Sequence, residues 1–185
     1  YTRGVGERGY RYSAMMPTRI IMQSSWPEYS HDVGAGIKLF LCETRVAKQP
    51  ALAGIKHLNR LENVLARNEN ISAEFAEGLM LSLDSEVIEG TMSNVFLVQD
   101  NVLKTPELSQ CGVQGVMREH VLAIAKSLDI GTEVTKLSMN DVASADEMFM
   151  TNSLIGIWPV VAIGAKQFSQ VRPVTERLME ILQSK

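Results

Sequence analysis

Gly112-Val113-Gln114-Gly115-Val116-Met117-Arg118-Glu119-His120-Val121-Leu122-Ala123-Ile124-Ala125-Lys126-Ser127-Leu128 is the segment from which the architecture is most directly read. Met117, Val121, Ile124, Ala125 and Leu128 recur at three- and four-residue spacing and so share one helical face. A glycine-bearing loop therefore feeds a helix start, where free N–H groups and the helix dipole together make a ready anion site. The plain alternative is a flexible connection. Upstream, Gly78 to Asp84 and Asn94 to Gln99 read as strands, with Ser85 to Gly90 running between them. Asp100-Asn101 predicts a two-residue hairpin turn into Val102-Leu103-Lys104. Downstream, Glu147 to Met150 and Ile157 to Ile163 read as strands around the turn Thr151-Asn152-Ser153. Val174, Leu178, Ile181 and Leu182 stripe a last helix. Nearer the amino terminus, Leu58, Leu61, Val64 and Leu65 predict an amphipathic helix through Arg67, and Met15 to Gln23 and Gly36 to Leu41 read as strands. The class is mixed α+β. Residues 23–35, with Ser24-Ser25-Trp26-Pro27 and Gly34-Ala35-Gly36, have the composition of a linker between two folding units.

Composition narrows the function. The chain has 185 residues, 45% hydrophobic and 21% charged, with 18 Lys+Arg against 21 Asp+Glu, enough to bury a core without disulfide or metal staples. The mild acidic excess gives no electrostatic footprint for nucleic acid, so no nucleic-acid partner is expected. Leu154 to Ala165, the longest apolar run, is cut by Pro159 and falls short of a membrane span. Cys42 and Cys111 are too few for a disulfide scaffold or zinc ribbon, which points to a reducing, cytoplasmic compartment. His31, His57 and His120 are isolated, so no metal site is expected. Tyr1-Thr2-Arg3-Gly4 has neither an initiator Met nor a signal-peptide layout, and so predicts a processed or truncated chain.

Several residues carry candidate chemistry. Gly4-Val5-Gly6-Glu7-Arg8-Gly9 matches the dinucleotide fingerprint G-x-G-x-x-G, but no strand precedes it and no helix follows, so its confirming context fails. Arg8 still offers a planar fork for a carboxylate; its dull reading is a solvated loop arginine. Lys56, among Leu52, Ile55 and Leu58, is a candidate Schiff-base nucleophile through partial desolvation, or else a lysine that snorkels to water. Glu89 falls near a strand end, where a carboxylate can face a cleft or merely cap a turn. Thr151-Asn152-Ser153 adds hydroxyl and amide donors.

A lysine, a glutamate, an anion-binding helix start and a hydroxyl-rich turn, in that order, are the parts of a pyridoxal phosphate site. Gly54-Ile55-Lys56-His57-Leu58-Asn59-Arg60-Leu61-Glu62, Glu89-Gly90-Thr91-Met92-Ser93-Asn94-Val95-Phe96 and Gly112-Val113-Gln114-Gly115-Val116-Met117-Arg118 resemble the fold-type IV pyridoxal phosphate enzymes. That group holds branched-chain and D-amino acid aminotransferases and aminodeoxychorismate lyase. The likeness to the lyases is the closer, through Arg8-Gly9-Tyr10, Lys56 to Glu62 and Thr151-Asn152-Ser153-Leu154.

The resemblance implies pyridoxal 5'-phosphate as cofactor, Lys56 as the lysine that holds it and moves protons, and Glu89 as the carboxylate on its pyridine nitrogen. It further implies Val116 and Met117 amides and the Ser153 hydroxyl on the phosphate, with Asn152 and Arg8 facing the substrate. Asn152 stands where branched-chain aminotransferases usually carry glycine. The implied reaction turns 4-amino-4-deoxychorismate into 4-aminobenzoate and pyruvate. A D-amino acid or branched-chain aminotransferase, or a non-catalytic remnant with the fold but no cofactor, are the alternatives. In domain terms the resemblance implies that 1–22 end a small amino-terminal domain, 23–35 connect, and 36–185 form the larger cofactor-binding domain of a homodimer. Most of the small domain, with an arginine for the phosphate, would precede Tyr1.

Overall fold

The structure, a computed structural model, describes residues 1–2, 4, 9, 16–29 and 34–183. Nine strands and four helices follow one another along the described chain: β1 Ile37–Leu41, α1 Leu61–Arg67, β2 Glu77–Leu81, β3 Val87–Gly90, β4 Asn94–Gln99, β5 Val102–Pro106, α2 Val116–Ser127, β6 Thr132–Thr135, α3 Met139–Ser144, β7 Glu147–Asn152, β8 Gly156–Ile163, β9 Lys166–Gln167 and α4 Pro173–Gln183. The strands form one mixed sheet in the order β3-β2-β1-β8-β7-β4-β5-β6, with β9 added to β8. β1 runs parallel to β2 and β8, and β5 parallel to β6; the remaining pairs are antiparallel.

Period-two alternation sorts the side chains between two cores. Val95 and Leu97 of β4, with Met148 and Met150 of β7, enter a cluster around Leu39, Leu79 and Trp158. Phe96, Val98 and Phe149 point the other way, where Val121, Ile124 and Ala125 of α2 and Val174 and Leu178 of α4 cover them. Phe96 and Phe149, directly paired in the ladder, stack with centroids 5.0 Å apart. The sequence alternation sets this register, because a one-residue slip would exchange the two cores.

The hairpin forms as expected: Gln99 pairs with Val102, and Asp100 and Asn101 hold φ of 50° and 65°, the left-handed pair that a type I′ turn requires. Three expectations need correction, and two elements were missed. In the run read as a strand from Met15 to Gln23, the described residues 16–23 form none: only Thr18 bridges, to Thr2, and Met16, Ile20, Ile21 and Met22 face outward. An apolar run makes a strand only where a partner completes its ladder. Ser85 to Gly90, read as running between two strands, is itself partly strand, since Val87–Gly90 pairs back on β2. Helix α1 starts at Leu61 rather than Leu58, and its apolar stripe faces solvent; only Ala66 is buried. Finally, β6 and α3 were not legible as elements: Thr132–Thr135 is largely exposed edge, and the six residues of α3 are too few to show periodicity, although Ser138 and Asp141 close a reciprocal capping box.

Candidate active site

Four loops and three strand ends meet around a cleft of about 460 Å³, lined by Lys56, Glu89, Val116, Met117, Asn152 and Ser153 among others. Six of the seven residues singled out in the sequence are thus brought together; Arg8 lies outside the described residues. Lys56 sits on the connection between β1 and α1. It is exposed, because Leu52, Ile55 and Leu58 turn outward rather than over it, so they do not desolvate it as their sequence positions suggested.

Glu89 is the third residue of β3 and only 3% exposed. Its Oε2 accepts the Val113 N–H at 2.8 Å, and its Oε1 lies 3.8 Å from Arg60 Nη1. Burial pushes this carboxyl above the ordinary carboxylate range, and the Val113 N–H, Arg60, Asn63 and Lys56 pull against that rise. A buried carboxylate so held is suited to sharing a proton with a base that packs against it.

The loop before α2 is built for close approach. Gly112 has φ +82°, and a Cβ there would meet Ile88 and Leu108 side chains below 3 Å. A Cβ on Gly115 would lie 2.2 Å from Asn94 Oδ1. Gly115 is the N-cap of α2 and contributes no side-chain cap, so the first amides of this twelve-residue helix keep their donors for the cleft they line. The same loop pairs with the lysine loop: Gly54 N–H donates to Gly112 O at 2.9 Å and Gln114 N–H to Gly54 O at 3.1 Å.

Asn152, at the end of β7, spends its side chain inside the site wall. Its Nδ2 donates to Met92 O at 3.0 Å, and its Oδ1 accepts from Leu154 and Ile155 N–H at 2.8 and 3.0 Å. Ser153 beside it is exposed at the cleft. Sequence reading missed Arg60, Asn63, Thr91 and Asn94, which also line the cleft or tie its loops. Arg60, Thr91 and Asn94 stood within the stretches that carry the family resemblance, without a role assigned to them; Asn63 lay just outside and had no spacing to mark it.

Chemically the cleft joins a free amine, a buried carboxylate and an open helix start with a hydroxyl nearby. An amine that can condense with a carbonyl, an acid for a ring nitrogen and a seat for a phosphate are the functions these groups can perform.

Comparison with known proteins gives the family. Residues 1–163 match the family described as Amino-transferase class IV. The aminodeoxychorismate lyase of Vibrio harveyi is 42% identical over 168 residues, which is 90% of this chain. This chain spans about three fifths of that relative, 62% of its length. The crystal structure of 4-amino-4-deoxychorismate lyase from Pseudomonas aeruginosa is 44% identical and superposes on all of this chain with a TM-score of 0.96, covering 68% of that chain. A T.th. branched-chain amino acid aminotransferase, solved with pyridoxamine 5'-phosphate, is 28% identical with a TM-score of 0.73 over 85% of this chain and 53% of its own.

Proposed function

The chain belongs to the amino-transferase class IV family, and from that premise we propose that it binds pyridoxal 5'-phosphate and converts 4-amino-4-deoxychorismate to 4-aminobenzoate and pyruvate. The observation that carries this reading is the cleft lined by Lys56, Glu89 and the open start of α2. The fit to the cofactor rests on the chemistry of that donor set: an amine for its carbonyl, a buried acid for its ring nitrogen, and uncapped amides for its phosphate. Val116 and Met117 amides and the Ser153 hydroxyl hold the phosphate in this reading, Glu89 holds the ring nitrogen, and Lys56 holds the aldehyde carbon. When bound, the cofactor supplies a carbonyl for the substrate amine and a protonated ring that takes up an electron pair.

The residues then divide the work. Lys56 Nζ takes the proton from the amine-bearing ring carbon of the substrate. The enolpyruvyl oxygen leaves with the C–O bonding pair, its methylene carbon gains one proton to become the methyl of pyruvate, matching the one that Lys56 removes, and aromatisation of the ring drives the departure. Glu89, kept dry by β3, maintains the proton on the nitrogen it faces. Asn152 fixes the turn beneath the substrate by its three bonds, and Arg8 is assigned the substrate carboxylate. No keto acid enters this balance, which separates the reaction from amino transfer.

On the same reading residues 36–185 form the cofactor-binding domain, 23–35 the connection and 1–22 the end of a smaller unit. The protein works as a cytoplasmic homodimer; the outward apolar stripe of Leu58, Leu61, Val64 and Leu65 supports association. Among the described residues no helix is long and apolar enough to cross a membrane.

The test is to soak the purified chain with pyridoxal 5'-phosphate, reduce with borohydride and map the modified peptide by mass spectrometry. A pyridoxyl group on Lys56 is expected, and its absence would overturn the reading. Pyruvate release from 4-amino-4-deoxychorismate without any keto acid then marks a lyase. Activity only with an amino donor and acceptor would mark an aminotransferase instead, the reading that the likeness to the T.th. aminotransferase favours.

A further inference from the structure

Residues 55–60 lie outside any helix or strand, so the backbone around Lys56 has no regular ladder to hold it. Scattered backbone bonds hold part of it, Gly54 to the loop before α2 and His57 N–H to Ile55 O at 3.1 Å, and one side chain adds a brace across the lysine itself. Arg60 Nη2 donates to the Ile55 carbonyl at 2.7 Å and Arg60 Nε to the His57 carbonyl at 3.3 Å, the two carbonyls on either side of Lys56. The third nitrogen, Nη1, lies 3.8 Å from Glu89 Oε1 across the cleft floor. A guanidinium is planar, permanently charged and presents its donors in a fixed fork, so two carbonyls hydrogen-bonded to it keep a fixed relation to each other and to the carboxylate paired with its third nitrogen. Its position is itself set, because Arg60 is the N-cap residue of α1.

We propose that Arg60 is a positioning residue: it clamps the peptide on both sides of Lys56 and ties that peptide to the Glu89 carboxylate, so that the reacting amine and the acid facing it keep one separation. The inference rests on the site reading given above, and it goes beyond that reading by assigning the geometry of the lysine to a residue that acts through the peptide on either side of it and through the Glu89 carboxylate. Its sign is also electrostatic. Burial lifts the Glu89 carboxyl while the Val113 N–H and then Arg60 work against the lift, so the same fork that fixes the lysine also favours the charged form of its partner. An ammonium in place of the fork could reach one carbonyl or the carboxylate, but not all three.

The experiment uses the full chain as parent, Arg60→Lys and Arg60→Gln, with two readouts. Amide hydrogen exchange without cofactor reports the clamp directly: peptides covering 54–59 are expected to exchange about tenfold faster in both variants, with α2 and β7 unchanged. The rate at which added pyridoxal 5'-phosphate becomes borohydride-trappable on Lys56 reports positioning, and is expected to fall about tenfold or more in both variants. Restoration to within about twofold by Arg60→Lys would show that charge suffices and would overturn the clamp, since only the fork spans both carbonyls. Unchanged exchange over 54–59 would overturn it as well. Should Arg60→Gln fail to fold, Arg60→Lys alone decides by the same criteria. If the parent itself forms no adduct, the cofactor reading falls, while the exchange readout still decides whether Arg60 holds the lysine loop.

Discussion

Removing the Glu77 carboxylate should loosen the turn that forms one lip of the cleft. Glu77 is fully buried at the start of β2, and its two oxygens accept from Gly78 N–H at 2.9 Å, Thr91 N–H at 3.1 Å, the Thr91 hydroxyl, Met92 N–H at 3.3 Å and Ser93 Oγ at 2.8 Å. Arg67 Nη1 stands 3.7 Å away. In Glu77→Ala the hydroxyls can rotate, Thr91 N–H keeps its second acceptor at Gly78 O, and Met92 at the rim can find water. Gly78 N–H loses this acceptor, the charge-assisted bonds are lost and Arg67 keeps the Ala76 carbonyl but loses its carboxylate, so the cost should be about 3–5 kcal/mol. Glu77→Gln keeps the shape but turns an NH₂ toward N–H donors, and should cost less, about 1–3 kcal/mol. Urea unfolding of the cofactor-free chain, followed by far-UV circular dichroism with matched slopes, measures both. The turn also carries the Thr91 carbonyl bound by Asn63 and the Met92 carbonyl bound by Asn152, so retention of pyridoxal 5'-phosphate should weaken in parallel. A Glu77→Ala protein within about 1 kcal/mol of the parent would refute the claim that this carboxylate carries the turn.

Three further outcomes follow from the geometry. Because burial raises the Glu89 carboxyl, the folded chain binds that proton more tightly than the unfolded one, and the associated stability, full below the ordinary value near 4.5, is lost as pH rises through the folded value. The stability of Glu89→Gln relative to the parent should therefore grow as pH rises above about 4.5 and level off above the raised folded value; a gap that stays flat from about pH 4 to about pH 8 would contradict this. Gly115→Ala drives a methyl into Asn94 Oδ1 and should weaken pyridoxal 5'-phosphate binding about tenfold or more while leaving a folded protein, checked by titration of the visible absorbance. Burial pushes the thiols of Cys42 and Cys111 up to about 12 and about 11, so native alkylation at pH 8 should run about a hundredfold or more slower than in urea, and equal rates would argue against their burial.

What the sequence disclosed and what it withheld have physical reasons. β4, β7 and α2 were legible because their side chains are buried on known periods, and the Asp100-Asn101 turn because its backbone demands residues that tolerate positive φ. Residues 16–23 misled because an apolar run carries no information about whether a partner strand is there to pair with it. Helix α1 was found for the right spacing and assigned the wrong use: periodicity shows that Leu61, Val64 and Leu65 share a face, not that this face is covered within the chain. Lys56 and Glu89 were legible as candidates, since each sat in a motif, yet the contact that joins their surroundings runs through Arg60, and no one-dimensional spacing encodes a link from residue 60 to residue 89.

The cleft walls are loops, and loops that must hold a ligand need fixing by something other than a sheet ladder. Here the fixing is done by side-chain amides and carboxylates aimed at backbone groups of a neighbouring loop. Asn63 donates to Thr91 O at 3.1 Å, Asn94 to Val113 O at 2.7 Å and Asn152 to Met92 O at 3.0 Å, while Glu89 accepts from Val113 N–H. Each of these residues lies on a regular element, α1, β4, β7 and β3 in turn, so each bond refers a loop to the rigid scaffold rather than to another loop. A carboxamide is short and has a planar end, so it fixes both distance and direction at small entropic cost. The consequence is that the amine, the acid and the anion seat share one frame although fifty-nine residues separate Lys56 from Gly115. Shortening any one of these side chains should therefore disturb ligand binding more than folding, because the strands beneath keep their own ladder.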